Sequence, residues 1–205
     1  MNNHIFALFH FRIFLIQDHA NELHRTPTFY AEQYGLNVKE SAFLSILPSV
    51  AGAIGGLLAG YTADKILASF AEDGDIEKTT LVRKSFQALS LFGPAACLLT
   101  LAYHIPDDPS ITQFLLTGTV GLSSFNAAGF SAAPQEKAGE KWAGLLYSIT
   151  SLPGVVFGSV GVYATGQILD MTHQNWSGVW GLNGAVDILG GLAFVALYNS
   201  RREFE

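Results

Sequence analysis

The sequence predicts an all-α membrane protein, a six-helix bundle whose first helix is irregular, and three observations carry that prediction. The composition is apolar: of 205 residues 49% are hydrophobic, and only 14% are charged, against about 25% in soluble domains. The charges are also unevenly placed, with none from Ser85 to Tyr103, from Ile111 to Ala133 or from Ala143 to Gln167. A soluble chain of this length cannot bury so much unbroken apolar helix, so the surrounding solvent is lipid. The basic residues, finally, fall on alternate loops.

A bilayer core about 30 Å thick needs about 20 mostly apolar helical residues. The first forty residues meet that need poorly. Ile5–Gln17 is too short to span, and Asp18, Glu22, His24 and Arg25 follow it directly. Apolar and aromatic character resumes at Pro27–Tyr34. A sixth span here would draw several charges into the membrane, so residues 1–25 are set apart from a bundle over 26–205. No signal peptide is expected, because Arg12 interrupts the apolar stretch and no small-residue cleavage site follows. The clear spans are Ser41–Tyr61, Ser85–Tyr103, Ile111–Ala133, Ala143–Gly166 and Ser177–Tyr198. They are apolar on all sides, whereas barrel strands would alternate. Pro48, Pro94, Pro153 and many of the 21 glycines lie within them, a density that membrane helices tolerate. Gly52, Gly56 and Gly60 form successive GxxxG pairs, which predict close helix packing.

With these spans alternating, 62–84, 134–142 and 199–205 lie on one side. They carry Lys65, Lys78, Arg83, Lys84, Lys137, Lys141, Arg201 and Arg202, while loops 104–110 and 167–176 carry no Lys or Arg. The positive-inside rule then places the C-terminus of this multi-pass protein in the cytoplasm or its organellar equivalent.

Enzyme chemistry has no signature here. GxxxxGK[ST], HExxH and GxSxG are absent, no cysteine pair could hold a metal, and no cofactor is expected. Cys97, the only cysteine, reads as a small buried hydrophobe. His4, His10, His19 and His24 read as surface or interfacial residues. The net charge of −6 and the lack of a basic patch exclude nucleic acid as a partner; the lipid bilayer is the expected one.

The most informative local pattern is Gly60-Tyr61-Thr62-Ala63-Asp64-Lys65 at the end of one span, with Arg83-Lys84 opening the next. Such charges are either ordinary loop anchors or a gate brace whose contacts differ between transporter states. The pattern resembles the loop motif of the major facilitator superfamily, in the copy between helices eight and nine. In order, Thr26-Pro-Thr-Phe-Tyr-Ala-Glu-Gln-Tyr-Gly35, Phe43-Leu-Ser-Ile-Leu-Pro48, Gly60–Asp64, Val82-Arg-Lys84, Phe92-Gly-Pro-Ala95 and Pro153-Gly154 through Thr165-Gly166-Gln-Ile-Leu-Asp170 resemble the C-terminal half of its anion–cation symporter family. That family includes sialin, the vesicular glutamate transporters and plant phosphate transporters. Lys137-Ala-Gly-Glu140 and Lys141-Trp-Ala-Gly144 depart from its Asp-Ile-Ala-Pro-like stretch and Tyr-Ala-Gly.

The resemblance implies helices seven to twelve of a secondary transporter. Its substrate is a small organic or inorganic anion, of phosphate or carboxylate type, moved by alternating access with a coupling proton or sodium. It also implies a missing N-terminal six-helix half, or a second copy in its place. Substrate contacts are expected from polar residues facing the bundle interior: Tyr30, Ser45, Ser49, Ser123, Ser124, Asn126, Tyr147, Ser148 and Thr150. Asn126 leads, since an unpaired amide is costly in hydrocarbon; the hydroxyls can satisfy themselves on backbone carbonyls. Asp64, Arg83 and Lys84 are the gating candidates. Asp187, alone in the last span, is a functional carboxylate or an interhelical hydrogen-bonding group. Trp176 and Trp180 read as interfacial anchors. The alternatives are a non-transporting six-helix membrane protein and an inactive truncated product.

Overall fold

The computed structural model describes residues 26–70 and 76–198, excepting the side chains of 133–141, 143, 146 and 150–157. The segment 1–25 with its four histidines, Arg201, Arg202 and the side chains of Lys137, Lys141, Thr150 and Pro153 therefore lie outside the described residues.

All regular structure among the described residues is helical. Helix α1 occupies residues 26–34 and stops at Gly35, whose φ of +65° suits glycine. Its amide bonds back to the Ala31 carbonyl at 3.1 Å. Helix α2, Val38–Leu44, opens on a capping box between Asn37 and Glu40. Helix α3, Ile46–Ala68, continues past Ser45. Pro48 explains the break, because it lacks an N–H for the Leu44 carbonyl and its ring crowds that oxygen. Helix α4 is Ile76–Tyr103 and contains Pro94. Helix α5, Pro109–Ser123, starts under an Asp108 cap with proline in its first turn, and a 3-10 turn, Ser124–Ala127, ends it. Helix α6 is Ala133–Met171, and α7, Trp176–Leu197, starts behind an Asn175 cap.

Among the described residues seven helices stand where six were expected, because Pro48 divides one expected span into α2 and α3. Among the same residues three stretches are long and apolar enough to cross a membrane: Val38–Ala68, Ile76–Tyr103 and Trp176–Leu197. Helix α4 starts nine residues before the span expected from Ser85, which brings Arg83 and Lys84 inside it.

Helix α4 packs mainly on α7, and α5 lies against both α3 and α4. Small residues set the seams. A Cβ at Gly184 would press on Leu99, and one at Gly191 on the Phe92 ring. On α3 the buried stripe is Pro48, Gly55, Ala59 and Ala63. The closest approach is at Gly55, where a Cβ would collide with Ser124 Oγ and the Gly121 carbonyl. The expected GxxxG glycines take part unevenly: a Cβ at Gly52 would crowd Val120 at 3.1 Å, whereas Gly60 has open space around its missing Cβ. The opposite faces are apolar and uncovered, with Phe43 73%, Leu57 76% and Phe114 76% exposed. Such surface is stable in lipid and not in water.

Trp176 and Trp180, expected as interfacial anchors, are buried inside the bundle, each 1% exposed. Phe29 of α1 covers both, with its ring edge-on at 5.2 Å from each centroid. Asp187 is also buried, on the glycine-rich face of α7. At the end of the bundle holding the basic loops, Lys65 lies over the Tyr61 ring at 4.6 Å and Lys78 over Phe70 at 5.8 Å. The other end carries Lys39, exposed in α2.

Candidate functional site

The backbone defect at Pro48 organises a polar node. The Leu44 carbonyl has lost its helical donor, and an acceptor left bare in hydrocarbon is costly. Gln113, one turn into α5, donates to it from Nε2 at 2.8 Å and contacts Thr117 Oγ1 at 3.2 Å. The Gln113 Oε1 accepts the Tyr30 hydroxyl from α1. A single amide therefore joins three elements, and both of its polar atoms are used.

A turn away, Tyr34 donates to the Pro106 carbonyl at 2.7 Å and accepts from the buried Thr112 hydroxyl at 2.6 Å. Trp176 donates from Nε1 to Glu32 at 2.9 Å. Helix α1 is thereby tied to α5, the 104–108 loop and α7 at the end away from the basic loops.

The expected contact residues are not gathered in one place. Tyr30 is fully buried in the node. Ser45 and Ser49 lie beside the Pro48 break, donating to the Ser41 and Ser45 carbonyls at 2.9 and 3.3 Å. Ser123 and Ser124 donate to the Val120 and Gly121 carbonyls, at 2.9 and 2.6 Å. Asn126 sits in the 3-10 turn and donates to Ser131 Oγ at 3.2 Å. Tyr147 is 51% exposed, and Ser148 donates to the Gly144 carbonyl at 2.9 Å. Of the gating candidates, Asp64 is exposed, Lys84 half-buried, and Arg83 buried with Nη1 donating to the Ala128 carbonyl.

Sequence reasoning missed Gln113, Thr112, Tyr34 and Gln87. The signal for the two glutamines was present: each is an amide within a charge-free run, the criterion that selected Asn126.

A helical chain with uncovered apolar faces and buried polar nodes belongs to the class of multi-pass membrane proteins. No protein-family model matches it, but curated proteins do. It is 35% identical over 148 residues to probable anion transporter 6, chloroplastic, of Arabidopsis thaliana. It is 31% identical over 169 residues to sialin of Homo sapiens. It is 29% identical over 164 residues to sodium-dependent phosphate transport protein 1, chloroplastic, of Arabidopsis thaliana. These matches cover 72%, 82% and 80% of this chain, but the chain spans only 27%, 33% and 30% of those relatives. On these matches the chain is similar to the anion–cation symporter group of the major facilitator superfamily.

Proposed function

We propose that the chain is the C-terminal six-helix half of a secondary transporter that moves a small phosphate- or carboxylate-type anion by alternating access, coupled to a proton or sodium. The similarity to named anion transporters over more than two thirds of the chain carries this reading. On it, α1 stands for the seventh helix and α2 with α3 for the eighth. Helices α4, α5, α6 and α7 stand for the ninth to the twelfth. Two such bundles enclose a midplane site between them, so the chain supplies one wall of that site.

Within that wall, Ser45, Ser49, Ser123, Asn126, Tyr147 and Ser148 are the proposed substrate contacts. A hydroxyl that donates to its own helix still has lone pairs to receive a donor, and a protonated phosphate or a sugar hydroxyl supplies one. Tyr30 is a positioning residue, since it reaches its surroundings through Gln113. Asp64, Arg83 and Lys84 are the proposed gate charges at the basic end, which lies in the cytoplasm or its organellar equivalent. The chloroplastic relatives support an organellar membrane.

The test is uptake in proteoliposomes. The chain is reconstituted alone and joined to the six helices that precede it in the full protein, with labelled phosphate and sialate presented under proton or sodium gradients. Saturable, gradient-dependent uptake by the joined protein and background uptake by the 205 residues alone are expected. Uptake by the chain alone would remove the half-transporter reading. Failure of the joined protein to move any anion would remove the transporter reading altogether.

A further inference from the structure

At the basic end of the bundle, α4 grips the backbone between α5 and α6. Arg83 and Gln87 are four residues apart on α4 and share a face. The buried Arg83 guanidinium donates from Nη1 to the Ala128 carbonyl. Gln87 is fully buried, and its Oε1 accepts the Phe130 N–H at 2.9 Å. The Gln87 Nε2 donates to Ser90 Oγ at 2.7 Å, and that hydroxyl donates to the Gln87 carbonyl at 3.0 Å. Ser90 therefore fixes which end of the amide faces Phe130.

Gly129 lies between the two gripped residues. A Cβ there would collide with Gln87 Oε1 and stand 3.0 Å from Gln87 Cβ and 3.1 Å from its backbone nitrogen. Only glycine lets the chain come this close. Residues 128–130 are buried yet belong to no helix; the Ala128 and Gly129 N–H groups close turns onto the Phe125 and Asn126 carbonyls at 3.1 Å, and α4 meets the Ala128 carbonyl and the Phe130 N–H. Ala59 and Ala63 of α3 pack on Ala128, and Phe86 stacks on Phe125 at 6.1 Å beside them. Helix α6 starts at Ala133, just beyond the gripped residues.

We propose that Arg83, Gln87 and Gly129 form a latch that sets where α6 enters the bundle and thereby holds the basic end closed. The role as a gate rests on the transporter reading, in which α6 walls the path. The latch consists of side chain–backbone bonds to an irregular segment, so it opens without unwinding α4 or α5.

Cysteine labelling in liposomes tests it on the full chain. Cys97→Ala with Ala132→Cys supplies a single reporter beside the latch, reacted with an impermeant maleimide from the basic side. Gln87→Leu and Gly129→Ala are each expected to raise the labelling rate about tenfold, the change in an opening equilibrium that follows loss of one buried hydrogen bond. The double variant Gln87→Ala with Gly129→Ala is expected to label more slowly than the sum of the two single effects predicts, because alanine at 87 removes the Oε1 collision while the closer-than-usual contacts to Cβ and the backbone nitrogen remain. If Gln87→Leu does not fold, Gly129→Ala and its rescue pattern decide. Equal rates in all the folded variants, or additive effects in the double variant, overturn the latch. The readout needs no substrate. A latch in a protein that moves no anion removes only the transporter reading, and transport with unchanged labelling removes only the latch.

Discussion

Gln113 shows how much can depend on a single side chain when the solvent is lipid. Its amide answers the Leu44 carbonyl at 2.8 Å and receives the Tyr30 hydroxyl. Gln113→Leu keeps the volume but leaves both groups buried and unanswered, so it is expected to cost about 1–3 kcal/mol per stranded group. Tyr30→Phe removes only the donor and is expected to cost about 1 kcal/mol. The double variant should show a coupling of about 0.5–3 kcal/mol, since the two side chains share a bond. Thermal unfolding in a mild detergent measures all three, and additive losses would show that Tyr30 and Gln113 act separately. Asn126 was legible in the sequence as an amide in an apolar run, and Gln113 and Gln87 met the same criterion. What the sequence could not show was the acceptor that makes Gln113 matter. The Leu44 carbonyl is orphaned by a proline four residues on, and it meets α5 only once the chain is folded.

At the scale of elements, the helices were legible and their faces were not. Length, the charge-free runs, the Asn37 and Asp108 caps and the Gly35 stop are local signals, and they suffice for placing helices. A helix that is apolar all round gives no stripe to point inward. On α3 the small residues offer two overlapping registers, Gly52–Gly56–Gly60 and Gly55–Ala59–Ala63, and spacing alone cannot choose between them. The fold uses the second along its length, with Gly55 against the Gly121 carbonyl, and of the first only Gly52 is crowded, by Val120. Gly55→Ala is therefore expected to destabilise by about 1–3 kcal/mol, because a rigid carbonyl cannot give way. Gly60→Ala is expected to be neutral or stabilising by up to about 1 kcal/mol, since it adds helix propensity where there is room. Thermal unfolding of the two variants side by side decides the register, and the opposite ranking would restore the GxxxG face.

At the scale of the whole molecule, the same charges that steer insertion also define its ends. Lys65, Lys78, Arg83 and Lys84 flank the link between α3 and α4, whereas loops 104–108 and 172–175 have no Lys or Arg. Lys39 is the exception at that second end, and it tempers the bias without reversing it, because orientation follows the sum of basic residues near the spans. A cysteine at Ser69, exposed where α3 ends, should label from one face of sealed vesicles only. A cysteine at His104, exposed where α4 ends, should label only from the other. Both use the Cys97→Ala background, so the native thiol contributes nothing. Moving the balance should move the topology: Lys65→Gln with Lys78→Gln and Lys84→Gln, combined with Asp107→Lys and Ser110→Lys at exposed positions, is expected to yield a mixed or inverted population. Unchanged one-sided labelling in that variant would mean that residues outside these loops set the orientation. Arg83 is left in place in this design. It is buried on the Ala128 carbonyl, so removing it would disturb folding and insertion together, and the experiment would no longer separate charge from structure.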